Sequence, residues 1–239
     1  MFRRQRGFIA APMLGIGRRS SASDPNFASV VLLALNENGP DAGTTFDDAS
    51  NSNKALTAVG NAQWDTAQAP TGMTSSGLFD GTGDRITTPD HDDWTFGSGD
   101  YTLEAWIRWN SVANATWLAH DNGAPNRAWI WLYETNQFRM WTDGVYRLQE
   151  DWTPATATWY HIAICRSGTN LRAFIDGTQL GATATSSENI PNLTSVLQIG
   201  GLGWLGGYDF NGWICPARIT TAARYTANFT SPTLPLPTS

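Results

Sequence analysis

Between residues 101 and 109 the chain alternates without a break. Tyr101, Leu103, Ala105, Ile107 and Trp109 fall on one side of an extended backbone, and Thr102, Glu104, Trp106 and Arg108 on the other. A period of two with one apolar side marks a strand that buries one face. Further short strand-like runs are VVLLAL (30–35), AWIWLY (128–133), QFRMW (137–141), WYHIAICRSG (159–168), LRAFI (171–175), TQLGA (178–182), VLQIGG (196–201) and FNGWI (210–214). Thr135-Asn136 separates the second and third of these. Asp176-Gly177 joins LRAFI to TQLGA as a two-residue hairpin, a pair that suits the positive φ angles of a type I′ turn. Residues 36–54 are rich in turn formers and read as loop. Helical periodicity is weak throughout, with one turn expected at Asp92–Phe96 and another at Thr221–Arg224. No repeat of solenoid or propeller length is present. Many short strands with no helices between them predict an all-β sandwich of two antiparallel sheets. The body is expected over residues 30–232, preceded by an extended arm (1–29) and followed by a Pro-rich extended tail (233–239).

Composition supports a single large β domain. The chain has 239 residues, and its 12 Trp, 10 Phe and 6 Tyr can fill a core with rings to spare for a surface. Charged residues are 15% of the total, below the roughly 25% of an average soluble protein. The net charge of −6 is unevenly shared. Residues 1–23 hold five arginines and no acid, whereas the rest holds ten basic and 21 acidic side chains, a balance of −11. An acidic body repels phosphate backbones, so nucleic acid is not expected as a partner of the domain. No apolar run approaches the ~18 residues that span a bilayer, and no membrane partner is expected. The start of the chain has the basic head of a signal peptide, but Pro12, Gly15 and Gly17 interrupt its apolar stretch and Arg18 and Arg19 close it early. Arg3, Arg4, Arg6, Phe8, Ile9, Arg18 and Arg19 instead suit an extended docking arm. Such a peptide can add a strand to a neighbouring protein or pair with its acids.

Candidate chemistry is sparse. Cys165 and Cys215 fit no zinc spacing, and either a disulfide or two buried thiols would account for them. The strand acids Glu104, Glu134, Asp143 and Asp176 are isolated, with no pair at i, i+2 or i, i+4 within one strand, and no triad spacing is present. The aromatic residues offer more. Trp129, Trp131 and Tyr133 share one face of AWIWLY, and Trp141 is their expected neighbour across the hairpin. Trp204 and Tyr208 lie in a glycine-rich loop. These rings either form a stacking platform or fill the space between sheets or subunits.

The order of local patterns is distinctive. GLFDGTGDRITTP (77–89) is followed by DYTLEAWIRW (100–109), TWYHIAICRSGTNLRAFIDGTQLG (158–181), LQIGG (197–201), FNGWICPARIT (210–220) and ARYTANFTSP (223–232). This series, spanning roughly residues 30–232, resembles the laminin-G-like branch of the concanavalin A-like lectin/glucanase jelly rolls. The ending ARYTANFTSP is similar to domains in tailed-phage virion proteins. The resemblance implies a carbohydrate-binding jelly roll with Trp129, Trp131, Tyr133, Trp141, Trp204 and Tyr208 as the candidate sugar contacts. Glycosidases of this fold carry Glu-x-Asp-x-x-Glu or a close variant on one strand. That motif is missing here, so no catalytic residue and no enzyme activity is expected. Family members often hold calcium in the loop corresponding to TFDDASNSNK (45–54), which makes Asp47 and Asp48 the metal candidates. Cys215 and Pro216 stand where the family's late acids would be, so neither metal nor other cofactor is expected. The implied role is a virion accessory protein, in the capsid or the tail, forming a homo-oligomer. It would be held to other virion proteins by its arm and be able to touch a host-surface glycan. A surface adhesin module and a degenerate glycosidase are the alternatives.

Overall fold

The computed structural model describes residues 23–123 and 127–239, so the expected arm residues Arg3, Arg4, Arg6, Phe8, Ile9, Arg18 and Arg19 lie outside the described residues. Within it the alternation at 101–109 is realised residue for residue. Tyr101, Leu103, Ala105, Ile107 and Trp109 enter the main core, while Glu104 faces the other way. In chain order the strands are β1 (Val30–Ala34), β2 (Thr57–Val59), β3 (Gln63–Asp65), β4 (Ser76–Asp80), β5 (Arg85–Thr88) and β6 (Tyr101–Trp109). There follow β7 (Ala115–Asp121), β8 (Arg127–Glu134), β9 (Gln137–Thr142) and β10 (Val145–Asp151), then β11 (Trp159–Ser167), β12 (Asn170–Ile175) and β13 (Thr178–Thr185). β14 (Leu197–Ile199) and β15 (Asn211–Thr220) complete the set.

Two antiparallel sheets result. An eight-stranded sheet runs β13-β12-β11-β6-β15-β4-β3, with β1 also paired to β15, and a seven-stranded sheet runs β10-β9-β8-β7-β14-β5-β2. The Asp176-Gly177 hairpin is present, with φ of 50° and 77°. Thr135-Asn136 also turns with both φ positive, at 49° and 62°, which asparagine tolerates better than a β-branched residue. The expected turn near 92 is a 3-10 helix, Asp92–Trp94. The one expected at Thr221–Arg224 is not helical. That segment starts an extended strap, because its apolar residues pack onto a sheet rather than along a helix face.

The strap crosses the outer face of the eight-stranded sheet over β6, β11 and β12. Tyr225 and Phe229 stack with centroids 3.6 Å apart and, with Ala223, pack on Ala163, Cys165 and Phe174. Farther along, Leu234 and Leu236 pack with Phe27, Val30 and Leu33. The tail expected to begin at 233 therefore lies over the domain, and Asn36 holds it by exchanging hydrogen bonds with Leu236 at 3.0 and 2.8 Å. The folded body also begins before Val30: Phe27 is buried and Asp24 is tied into the sheet.

Beneath the strap lies a buried ionic cluster. Glu104 receives Arg218 at 2.7 Å, His161 at 3.0 Å and the Tyr225 hydroxyl at 2.8 Å. Asp24 receives Arg218 at 3.1 Å and both terminal nitrogens of Arg224 at 3.0 and 2.7 Å. Burial would raise the Glu104 carboxyl, but Arg218, His161 and Arg224 outweigh it and hold the group well below the usual carboxylate range. Asp24 is lowered in the same way: burial opposes, and the Arg224 and Asn26 hydrogen bonds prevail. The two cysteines are both buried and free. Cys215 donates to the carbonyl of Leu35 at 3.1 Å, whereas Cys165 sits beside Thr102 under the strap. Burial pushes both thiols up, away from reactive thiolate.

Candidate functional site

The outer face of the seven-stranded sheet is the opposite case, and hairpin register decides what it presents. The turn at 135–136 pairs Tyr133 with Phe138, Trp131 with Met140, Trp129 with Thr142, and Ile130 with Trp141. Directly paired residues share a face. Trp129, Trp131 and Tyr133 therefore point inward with Phe138 and Met140, and they are 0%, 0% and 2% exposed. This corrects the expected sugar platform: those three rings fill the space between the sheets, where Trp129 donates its indole N–H to the Trp94 carbonyl at 3.1 Å. Trp141 does not join them across the hairpin. It lies on the outer face with Ile130, Leu132, Ala119 and Leu202.

A loop folds back over that outer face. It is fastened at its base by hydrogen bonds from Gly200 to the Trp117 carbonyl at 3.0 Å and from Thr116 to the Tyr208 carbonyl at 2.8 Å. Between these points Leu205 and Tyr208 pack on the apolar patch, while Trp204 stays 37% exposed. Gly123 lies close beneath the indole: a Cβ there would come within 3.3 Å of the Trp204 ring. Arg127, at the start of β8, is sandwiched between two indoles, 5.0 Å from the Trp141 centroid and 4.8 Å from that of Trp204. Such cation–π contacts favour a fixed guanidinium plane. Asp121 lies buried nearby. Burial pushes its carboxyl up, opposed by the Gly123 N–H, Arg127 and Trp204.

Two depressions meet at Arg127. One is an apolar groove of about 190 Å³, floored by Ile130, Leu132 and Trp141 and walled by Trp204, Tyr208 and Tyr146. The other is a polar cleft of about 460 Å³, lined by Asp143, Asn189, Asn192 and Thr194. Glu134 braces the groove. It accepts from the hydroxyls of Tyr146 and Tyr208 and from Arg139, and Arg139 also stacks 4.5 Å from the Tyr146 ring centroid. Burial would raise Glu134, but the two tyrosines and Arg139 outweigh it and hold the carboxyl low. The same contact, added to burial, pushes Tyr208 up to about 12.

Of the expected sugar contacts, the structure brings together Trp141, Trp204 and Tyr208 on one open face. Sequence reasoning missed Tyr146, Arg127 and Glu134. The signal was available: counting outward from the 135–136 turn puts Trp141 opposite Ile130. The remaining strand acids are scattered. Glu104 is under the strap, Asp176 accepts from the His161 backbone N–H at 2.8 Å, and Asp143 occupies an exposed turn. In the loop of the metal candidates, Asp48 is buried and its oxygens accept from the backbone of Leu33, Ser50 and Lys54 and from the Ser50 hydroxyl. It braces a turn. The neighbouring Asp47 offers its backbone N–H to Glu37. Among the described residues no group of three or more His, Cys, Asp or Glu is placed to hold a metal ion. None of the described helices is long and apolar enough to cross a membrane.

Known structures share this architecture. Domain 4 of AbnA, a GH43 extracellular arabinanase from Geobacillus stearothermophilus in complex with arabinotriose, superimposes with TM-score 0.61 at 16% identity, covering 82% of this chain and 93% of that one. The binding domain of Paraclostridial Mosquitocidal Protein 1 gives 0.62 at 16%, covering 82% and 50%. The receptor binding domain of botulinum neurotoxin D gives 0.59 at 16%, with the same coverage. This chain thus spans half of each toxin structure, and at such identities the likeness establishes the fold alone. No curated protein matches the chain. A family model described as the concanavalin A-like lectin/glucanases superfamily matches residues 80–228, more than half of the sequence. Strand order, sandwich and family match agree, and the chain belongs to the concanavalin A-like lectin/glucanases superfamily.

Proposed function

We propose that this protein is a non-enzymatic carbohydrate-binding module that holds a glycan against the outer face of its seven-stranded sheet. The observation that carries this reading is the contrast between the two outer faces. The strap covers one over β6, β11 and β12 and leaves Trp106 and Trp213 half-buried there, whereas the other leaves Trp204 and Tyr146 exposed around an apolar floor with a fixed guanidinium beside it. Exposed rings beside fixed polar groups are what sugar rings require, an apolar face to stack on and donors and acceptors at the edge. The similar structures include an arabinanase domain with bound arabinotriose and two toxin binding domains, which agrees with a binding role. Separation of the strand acids supports binding without hydrolysis.

A glycan array followed by calorimetry on the best ligand tests this. Trp204→Ala should weaken binding about tenfold or more, since losing a stacked ring costs on the order of 1–2 kcal/mol. Full affinity in both Trp204→Ala and Trp141→Ala would exclude this face. Shortened products after prolonged incubation with the bound glycan would make the protein an enzyme.

The wider role in this reading is that of a virion accessory protein, its basic arm fastened to acidic surfaces of other virion proteins and its groove offered to a host glycan. The ending ARYTANFTSP and the split between residues 1–23 at +5 and the remainder at −11 support it. Mass spectrometry of purified particles should find the protein, and particles made with residues 1–22 deleted should lack it. Recovery on the cell surface instead would favour the adhesin.

A further inference from the structure

Resting on that reading, we infer that the polar cleft beside Arg127 is a second sugar subsite, and that the ligand is a neutral oligosaccharide of at least two rings lying across both depressions. Arg127 lines both, so a chain stacked in the aromatic groove continues directly into the cleft. The walls differ in chemistry. The groove offers rings and aliphatic carbons, whereas the cleft offers the amides of Asn189 and Asn192, the Thr194 hydroxyl and the Asp143 carboxylate. One lobe stacks and the other exchanges hydrogen bonds with hydroxyls in both directions.

Three features shape the cleft for this task. Asp143 and Gly144 form the turn between β9 and β10, with φ of 44° and 83°, so the carboxylate stands at a tight, exposed tip. Asn192 donates one amide N–H to Asp92 at 2.8 Å, which fixes the amide plane and leaves its oxygen as an acceptor. Arg127 keeps a buried Nε with no hydrogen-bond acceptor among the described residues, while the two indoles hold its guanidinium in place. Charge argues for a neutral sugar. Among the described residues that line the cleft Arg127 is the one cation and Asp143 the one carboxylate, and Asp121 lies close to Arg127, so a sugar carboxylate would meet no net positive charge from them.

The test is calorimetry with neutral gluco-, galacto- and manno-oligosaccharides of one to four residues and with oligogalacturonides as the acidic counterpart. Affinity for the preferred neutral series should rise about tenfold or more between one ring and two or three, change little with added salt, and exceed that for the acidic series. Asn192→Ala and Asp143→Asn, each checked for an unchanged melting temperature, should erase the gain with length and leave single-ring binding intact. Trp204→Ala should weaken every length alike. Affinity independent of length, a gain that survives both cleft substitutions, or preference for the acidic series overturns the inference while a Trp204-dependent groove keeps the broader reading. Failure of every sugar to bind overturns both.

Discussion

Trp129 and Trp204 share a side chain and differ only in where the backbone points it. Trp129 is fully buried between the sheets and Trp204 is 37% exposed on the outer loop. Trp129→Ala should therefore cost about 3–5 kcal/mol of stability, as truncating a buried aromatic does, and thermal melts will register it. Trp204→Ala should barely move the melt and act on glycan binding alone. A large drop in melting temperature for Trp204→Ala would mean that the loop is part of the core rather than a presenting surface. Glu134 allows a sharper check. Burial first, and then the Glu134 charge, push Tyr208 up to about 12, the second because a carboxylate disfavours the nearby phenolate. Glu134→Gln should bring the Tyr208 titration back toward the ordinary tyrosine range, which ultraviolet absorbance will follow. It should also loosen Tyr146 and Tyr208 in the groove. At this scale the sequence is legible once register is applied, since the Thr135-Asn136 turn alone assigns Trp129 inward and Trp141 outward.

Strands that bury one face announce themselves by alternation, and strands in other surroundings do not. β6, β8, β9, β11, β12 and β15 are readable because each carries a run of large apolar residues. β7 is buried along its whole length, yet it includes Thr116, His120 and Asp121, so neither alternation nor a clean apolar run marks it. β10 is an edge strand with Leu148 its one buried residue, too little for a pattern. The strap was legible as a motif, but its work was not, because the partners of Arg218, Arg224 and Tyr225 are Glu104 on β6 and the distant Asp24. That cluster makes a prediction about acid. Glu104 and Asp24 both have folded values below their unfolded ones. Their contribution is complete above the usual carboxylate range, about pH 4–4.5, and is lost as pH falls through the folded values. Stability should thus decline in acid, and the decline should be shallower in Glu104→Gln. Arg218→Met, which strands a buried carboxylate, should cost about 3–5 kcal/mol at neutral pH. Urea titrations across pH measure both, and an unchanged midpoint for Arg218→Met would show that Arg224 alone suffices for Glu104.

For the molecule as a whole, charge and packing carry the folded unit back past Val30 to Asp24 at least. Removing residues 1–22 should leave the melting temperature and the β-type circular dichroism unchanged. Removing residues 1–29 also deletes Asp24 and Phe27, which leaves Arg218 and Arg224 without one of their two carboxylates and uncovers Leu33 and Leu236. That chain should melt several degrees lower, and equal stability of the two truncations would put the boundary back at Val30. The Asp24 N–H donates to the Ser239 carbonyl at 2.8 Å, so these two residues, far apart in sequence, meet at one point beside the eight-stranded sheet. A stretch bounded by two adjoining residues behaves as a cassette: residues 24–239 can be spliced into a surface loop of another protein, or be ligated into a ring, with almost no gap to bridge. Because the splice point sits on the eight-stranded sheet, any carrier would display the aromatic groove on its far side.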